Sequence, residues 1–444
     1  MSLITRPDIG VMAKVKAPSV VEQLLAGHLP AHAVRRAALP IVELRLAVPL
    51  RRSEIEHPAA ASVLTESLLA GTEQRDRFAL ADALERIGGE LHASLGDDQL
   101  VVAGSVLSTN FGALVSLLNE VLCSATYPER EVRADRARTA DETEIALSQP
   151  EVVAAQALRR RQFAGHPYAT GMASPASLRK VRAEQLRALH RQLFVPSACH
   201  LVLVGDLSPR RALAGCEEAL GPFLAERGRR RDDIPALSGT PSGPIELVDR
   251  PGSVQSNLRI GAAAPGLADP GWPAFALAEA ILGGMFSSRI VTNLRERHGY
   301  TYSPRSTVRH ARAGSSFVLA AEVATAVTGP ALVEARYELA RLVTAGVTDA
   351  ELESARRYST GRFAFQTGTL GGLAATLARL AVNGVGYQYL ASYPAGLARA
   401  TKEQVDAAAR RFLAARDLVT VVIGEAASVR AELSLLEEVH TKRR

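Results

Sequence analysis

The feature that most constrains the fold is a long-period internal repeat. Glu184-Gln185-Leu186 opens a helix-like stretch that closes at Phe194, and Leu201-Val202-Leu203-Val204-Gly205 follows it. Glu403-Gln404-Val405 leads in the same way through Arg410 and Phe412 to Val421-Val422-Ile423-Gly424. Glu184 and Glu403 lie 219 positions apart, as do Gly205 and Gly424, with no gap between. Residues 101–106 and 318–323 echo one another at nearly the same spacing, each before a long amphipathic stretch. A chain that repeats its elements at such a period builds one unit twice. Its 444 residues are too many for a single ordinary core. The expectation is two homologous domains of roughly 200 residues each.

Strands and helices are interspersed within each copy. Ile41 to Val48 alternates, with Val42, Leu44, Leu46 and Val48 on one face and Glu43 and Arg45 on the other. That is the pattern of a strand with one buried and one wet face. Residues 109–122 place Leu114, Leu117, Leu118, Val121 and Leu122 at helical spacing. The mixture predicts an α+β fold, a sheet carrying its helices on one face. Residues 226–243, rich in Arg, Asp, Pro, Ser and Gly, read as a linker between domains spanning 1–225 and 244–444.

Charge narrows the classes of partner. There are 52 basic against 46 acidic residues, a net charge of +6, yet lysine stands only at Lys14, Lys16, Lys180, Lys402 and Lys442. Arginines cluster at Arg159 to Arg161 and Arg229 to Arg231, but aromatics are only 5% and the arginines are interspersed with Glu and Asp. Nucleic-acid binding would need basic residues on one face interleaved with aromatics. Solvated helix faces are the expected role of these arginines, with no nucleic-acid partner. No run of eighteen apolar residues exists, so no membrane span is expected, and residues 1–20 lack the apolar region of a signal peptide. Cys123, Cys199 and Cys216 form neither a disulfide framework nor a zinc ribbon, and a reducing cytoplasm is the expected address.

Common catalytic motifs are missing. There is no GxSxG elbow, no GxxxxGK[ST] loop and no GxGxxG fingerprint. His28 and His32 have metal-pair spacing for a helix, but Pro30 between them breaks a helix. Gly283-Gly284 reads as a helix terminator. The sharpest phrase runs from Phe286-Ser287-Ser288-Arg289 through Leu294-Arg295-Glu296 to Gly299-Tyr300-Thr301-Tyr302. Phe163-Ala164-Gly165-His166-Pro167-Tyr168 followed by Gly171, and the strand Leu201–Gly205 before Asp206, accompany it. Together these phrases resemble the signature of the insulinase/pitrilysin-type zinc metallopeptidases, in the branch of bacterial and mitochondrial processing peptidases. The resemblance runs from about residue 20 to residue 430. It implies two tandem insulinase-like domains, each a mixed, mainly antiparallel sheet, closed like a clamshell around a chamber.

The resemblance also implies a zinc site, and there this chain departs. Active members carry HxxEH on a helix, with two histidines and a distal glutamate on zinc and the first glutamate activating water. The corresponding stretch is Ala61 to Thr72. With one residue missing before Gly71, Val63 and Ser67 fall at the histidine positions, Glu66 at the base, and Glu142 or Glu144 near the distal ligand. Shifting the frame by one recovers no histidine. Valine cannot ligate zinc, so this chain is expected to bind no metal and to hydrolyse no peptide alone.

Arg295 and Tyr302 are intact. The resemblance implies that they hydrogen-bond substrate carbonyls and the oxyanion beside the scissile bond, where a guanidinium fork and a phenol serve as donors. The competing structural role pairs Arg295 with Glu296 or Glu334 and buries Tyr302. The expected function is the zinc-free, substrate-binding subunit of a bacterial two-subunit metallopeptidase acting on peptides or unfolded segments. A zinc-bearing sister chain would complete a heterodimer, and a homodimer is open to the isolated chain. A purely structural assembly subunit is the alternative.

Overall fold

A computed structural model of the chain describes residues 17–50, 58–226, 234–237 and 242–443. Two six-stranded mixed sheets organise it. The first contains β1 (Val21–Leu25), β2 (Leu29–Arg35), β3 (Ile41–Pro49), β4 (Glu90–Leu95), β5 (Gln99–Leu107) and β6 (His200–Gly205), in the order β1-β2-β6-β3-β5-β4. The second contains β7 (Ile245–Asp249), β8 (Gln255–Ala264), β9 (Arg305–Ala311), β10 (Gly314–Ala324), β11 (Val419–Gly424) and β12 (Val439–Arg443), in the order β12-β7-β11-β8-β10-β9. Five strands of each sheet therefore follow one order. Within those five, one pair is parallel (β2 with β6, β7 with β11) and the other neighbours are antiparallel. The sixth strand differs: β1 precedes its unit and runs antiparallel to β2, whereas β12 closes its unit and runs parallel to β7. Of the expected linker, residues 227–233 and 238–241, with Arg229 to Arg231, lie outside the described residues.

The repeat holds residue by residue where the sequence matches. Glu184 and Glu403 are each the second residue of an eleven-residue helix, Ala183–Leu193 and Lys402–Phe412. Gly205 and Gly424 each end a six-residue strand. A Cβ on Gly205 would lie 2.1 Å from the Ile41 carbonyl oxygen, so the neighbouring strand's backbone requires glycine there; at Gly424 it would meet only the Ser256 hydroxyl, at 2.5 Å. The helices Glu129–Ser148 and Pro150–Gln162 recur as Asp349–Gly368 and Leu370–Val382, with 20 and 13 residues in each copy.

The outer face of β3 is not wet. Helix Leu370–Val382 of the second half packs on β3 and β6 of the first, its Leu373, Ala374 and Leu377 sharing a core with Val34, Ala47, Val202 and Val204. Helix Pro150–Gln162 of the first half covers β8 and β11 in return, with Ala154, Ala157 and Leu158 against Val419, Val421 and Ile423. Glu43 and Arg45 on that face are consequently mostly buried and pair at 2.7 Å. Each half thus finishes the other's sheet, which is why an amphipathic strand needed a second layer from outside its own unit.

Polar contacts fasten the seam. Gln162 Nε2 donates to the Ala262 carbonyl at 2.7 Å and Arg36 Nη1 to the Thr367 carbonyl at 2.9 Å. Tyr168, buried, donates its hydroxyl to Asp98 at 2.9 Å, and that hydroxyl accepts from the backbone N–H of Ala313 at 3.1 Å. His166 Nε2 lies 2.8 Å from the Pro235 carbonyl. The Gly165-His166-Pro167-Tyr168 phrase therefore acts as a joint between halves. His28 lies in a turn and His32 in β2, so the two do not share a helical face.

Candidate functional site

Helix Pro58–Ser67 carries the residues compared with the zinc motif. Proline at its first position costs no intrahelical bond, and the alanines that follow favour the helix. Val63 and Leu64 are fully buried, and Ser67 is buried with its hydroxyl donating to Asp135 at 2.8 Å. The opposite face, Ser62, Thr65 and Glu66, borders a cavity of about 690 Å³, joined by Thr139, Thr143 and, from the second half, Arg309. Val63 and Ser67 thus point into the core, and the face bordering the cavity begins one residue earlier. No histidine stands in either frame. The i, i+3, i+4 spacing of residues 62, 65 and 66 was the signal for that face.

Glu66 is held by a guanidinium. Arg138 Nη2 donates to Glu66 Oε2 at 2.9 Å and Nη1 to Glu142 Oε1 at 3.1 Å. The hydrogen bond to Glu66 raises the pKa of Arg138 above its ordinary value. Glu144 belongs elsewhere, paired with Arg179 at 3.1 Å. The cavity therefore offers hydroxyls of Ser62, Thr65, Thr139 and Thr143 and the carboxylates of Glu66 and Asp97, already paired with Arg138 and Arg159. A zinc ion needs three good donors, and neutral hydroxyls with a spoken-for carboxylate pair do not supply them. Among the described residues no group of three or more His, Cys, Asp or Glu is placed to hold a metal. The residues present do not fit zinc.

Two π-helical turns, Ala280–Gly284 and Val291–Arg297, flank the start of the 286–302 phrase. Such turns are rare and concentrate where side chains must be re-aimed. Gly283 and Gly284 lie in the first, which ends helix Trp272–Glu279, and a Cβ on Gly283 would lie 2.8 Å from Ser306 N. Part of the phrase is architectural. Arg289, buried, forks onto Glu351 at 2.7 and 2.8 Å, and Asn293 donates to Glu334 and Glu338 at 2.9 Å each. Arg295 and Tyr302 face outward instead. Tyr302 is 80% exposed, so it does not pack in the core. The Arg295 guanidinium lies 4.9 Å from the ring centres of both Phe286 and Tyr302, and its Nε is 3.2 Å from Glu296 Oε1. Clamped between two rings, the guanidinium keeps an edge available: among the described residues its Nη groups have no partner.

Arg295 and Tyr302 border a cavity of about 590 Å³ with Gln255 and Glu322, not the cavity beside Glu66. Between the two lies a third, about 220 Å³, that shares Asp97, Gln156, Arg159 and Arg309 with the first. Its Arg259 and Arg305 reach Glu322 at 2.9 and 3.7 Å, and Glu151 of the first half bridges to Arg305 at 2.5 Å. The first and third cavities take walls from both halves, whereas the one beside Arg295 and Tyr302 is lined by the second half alone. Arg159 is a wall of this series, held to Asp97 at 2.7 Å and to the Tyr168 carbonyl at 2.6 Å. Burial lowers the pKa of Arg161. The expected solvated role for Arg159 to Arg161 therefore fails for these two, because helix Pro150–Gln162 is sandwiched between the halves. No motif in the sequence pointed to Arg138, Arg259 or Glu322.

The family model for insulinase (peptidase family M16) matches residues 56–176, and that for the peptidase M16 inactive domain matches residues 180–358. The chain is 26% identical over 257 residues to an uncharacterized zinc protease of Mycobacterium bovis, covering 56% of this chain and 57% of that protein. It is 24% identical over 339 residues to an uncharacterized zinc protease of Mycobacterium leprae, covering 72% of this chain and 74% of the relative. The chain thus spans little more than half the length of the first of these relatives. Its fold is similar to the crystal structure of a peptidase M16 inactive domain from Pseudomonas fluorescens, with a TM-score of 0.85 at 23% identity over 91% of this chain and 98% of the other.

Proposed function

Since the chain belongs to the insulinase-type M16 peptidase family, we propose that it is the non-catalytic, substrate-binding subunit of a bacterial two-subunit zinc metallopeptidase. One contrast carries the reading. Glu66 is locked to Arg138, while the exposed Tyr302 hydroxyl and the Nη groups of half-buried Arg295, whose Nε faces Glu296, stand uncommitted. A sister chain with an intact HxxEH would supply zinc and base. This chain would supply hydrogen-bond donors to the backbone of an extended peptide, and half of the enclosing wall. Substrates would be peptides or unfolded segments, because the cavities between the halves are wide enough for extended chain and exclude folded domains. The seam arginines are paired with Asp97, Glu151 and Glu322, which supports no nucleic-acid partner. Among the described residues no helix is long and apolar enough to cross a membrane; a cytoplasmic location, a heterodimer in the cell and the division into domains 1–225 and 244–444 belong to this proposal.

Mixing tests it. The isolated chain is expected to leave a quenched extended peptide intact, and a zinc-bearing family member encoded beside it is expected to hydrolyse the peptide strongly only in the mixture. A stable complex without any gain in hydrolysis would favour the assembly-subunit reading instead.

A further inference from the structure

The second half has its own counterpart of the Glu66 cavity. Helix Trp272–Glu279 stands where Pro58–Ser67 stands in the first half, Asp349–Gly368 where Glu129–Ser148 stands, and β9 where β4 stands. These elements, with helices Leu370–Val382 and Tyr389–Arg399, enclose a cavity of about 150 Å³. Its lining mixes aromatic rings with Arg362, Arg379, Glu279 and Gln366, in a volume sufficient for one ring-sized ligand.

Its walls are flat and fixed by one another. Tyr389 and Tyr393 stack with ring centres 5.0 Å apart and planes 7° from parallel, and Trp272 lies 6.0 Å from Tyr393 at 9°. Trp272 Nε1 donates to the Tyr389 hydroxyl at 3.0 Å, and His310 packs edge-on against Trp272 at 4.3 Å. Arg379 is the group without an explanation. Its Nε is buried with no hydrogen-bond partner, and among the described residues no carboxylate lies within ion-pair distance of its guanidinium. Arg362, exposed, lines the same cavity and adds a second positive charge. The one acid present, Glu279, accepts from Ser306 Oγ at 2.7 Å, and burial pushes its pKa up to about 7, so it opposes an incoming anion only weakly at neutral pH.

We propose that this cavity binds a small aromatic carboxylate, its ring packed against the outside of the Trp272-Tyr393-Tyr389 stack and its carboxylate paired with Arg379. The site lies within the second half and does not depend on peptide binding at Arg295, so failure of one reading leaves the other standing.

Trp272 is the chain's single tryptophan, so its fluorescence reports this cavity alone. Titration of the full chain with benzoate is expected to give a saturable change that neutral benzamide does not reproduce. Arg379→Met is expected to weaken benzoate about tenfold or more, the usual loss of one charge-assisted hydrogen bond. Ala276→Leu, which fills the cavity and leaves every charge in place, is expected to weaken it similarly, and decides alone if Arg379→Met does not fold. The proposal is overturned by the absence of saturation, by equal effects of benzamide or inorganic phosphate, or by folded variants that bind benzoate as the parent does.

Discussion

Tyr302→Phe, assayed in an equal mixture with a zinc-bearing sister chain, is expected to lower turnover about a hundredfold with little change in KM. Removing one oxyanion donor typically costs about 3 kcal/mol of transition-state stabilisation, and a phenol that meets charge only in the transition state acts on kcat. Arg295→Ala is expected to raise KM instead, because a guanidinium holding backbone carbonyls binds ground and transition states alike. The stacking adds a complication that can be read out. Arg295 sits 4.9 Å from both the Phe286 and Tyr302 rings, so its loss also frees the tyrosine. Arg295→Lys keeps charge over the rings but loses the fork, and is expected to restore part of kcat while leaving KM high. Neither position should affect folding, as both side chains lie at the surface end of the phrase. If both variants match the parent in an intact complex, the pair has no role in hydrolysis.

Arg289→Ala is expected to destabilise the second half by roughly 3–5 kcal/mol, the range for removing one partner of a buried ion pair. The guanidinium is almost fully buried, reaches Glu351 through two bonds and caps the Gly346 carbonyl at 2.7 Å. Glu351 is also the acidic member of the Thr348 capping box that starts helix Asp349–Gly368. Urea denaturation measures the loss; an unchanged midpoint would remove the architectural reading of Arg289. The pH dependence has a definite sign. Burial alone would raise the Glu351 pKa, but the Arg289 fork and Thr348 outweigh it and hold the carboxyl down at about 2. A carboxyl depressed in the folded state stabilises fully above its ordinary value near 4.5 and ceases to do so as pH falls toward 2. The parent is therefore expected to lose stability across that acid window more steeply than Arg289→Ala, from which the interaction is already gone.

The sequence carried the doubled unit because Glu184, Gly205 and their partners sit in elements of identical length, where an ungapped offset survives. It did not carry the edge strands, because β1 comes from before one unit and β12 from after the other. Nor did it carry the exchange of helices Pro150–Gln162 and Leu370–Val382, since an apolar stripe says that a helix is covered and not which sheet covers it. Arg295 and Tyr302 were legible because one short phrase contains both. Arg138 was not: it meets Glu66 from 72 positions away, through the packing of one helix on another. The frame of helix Pro58–Ser67 was readable in principle. Val63, Leu64 and Leu68 are all buried and mark the inward side, which leaves Ser62, Thr65 and Glu66 for the cavity.

The central claim is that this chain has no zinc site of its own, its would-be base being neutralised by Arg138. Metal analysis of the isolated chain, purified without added zinc and again after incubation with zinc and removal of the excess, tests it directly. Well under one equivalent is expected in both preparations, with no difference between the parent and Glu66→Gln. One tightly held equivalent per chain, in the parent or in Glu66→Gln, would contradict the account.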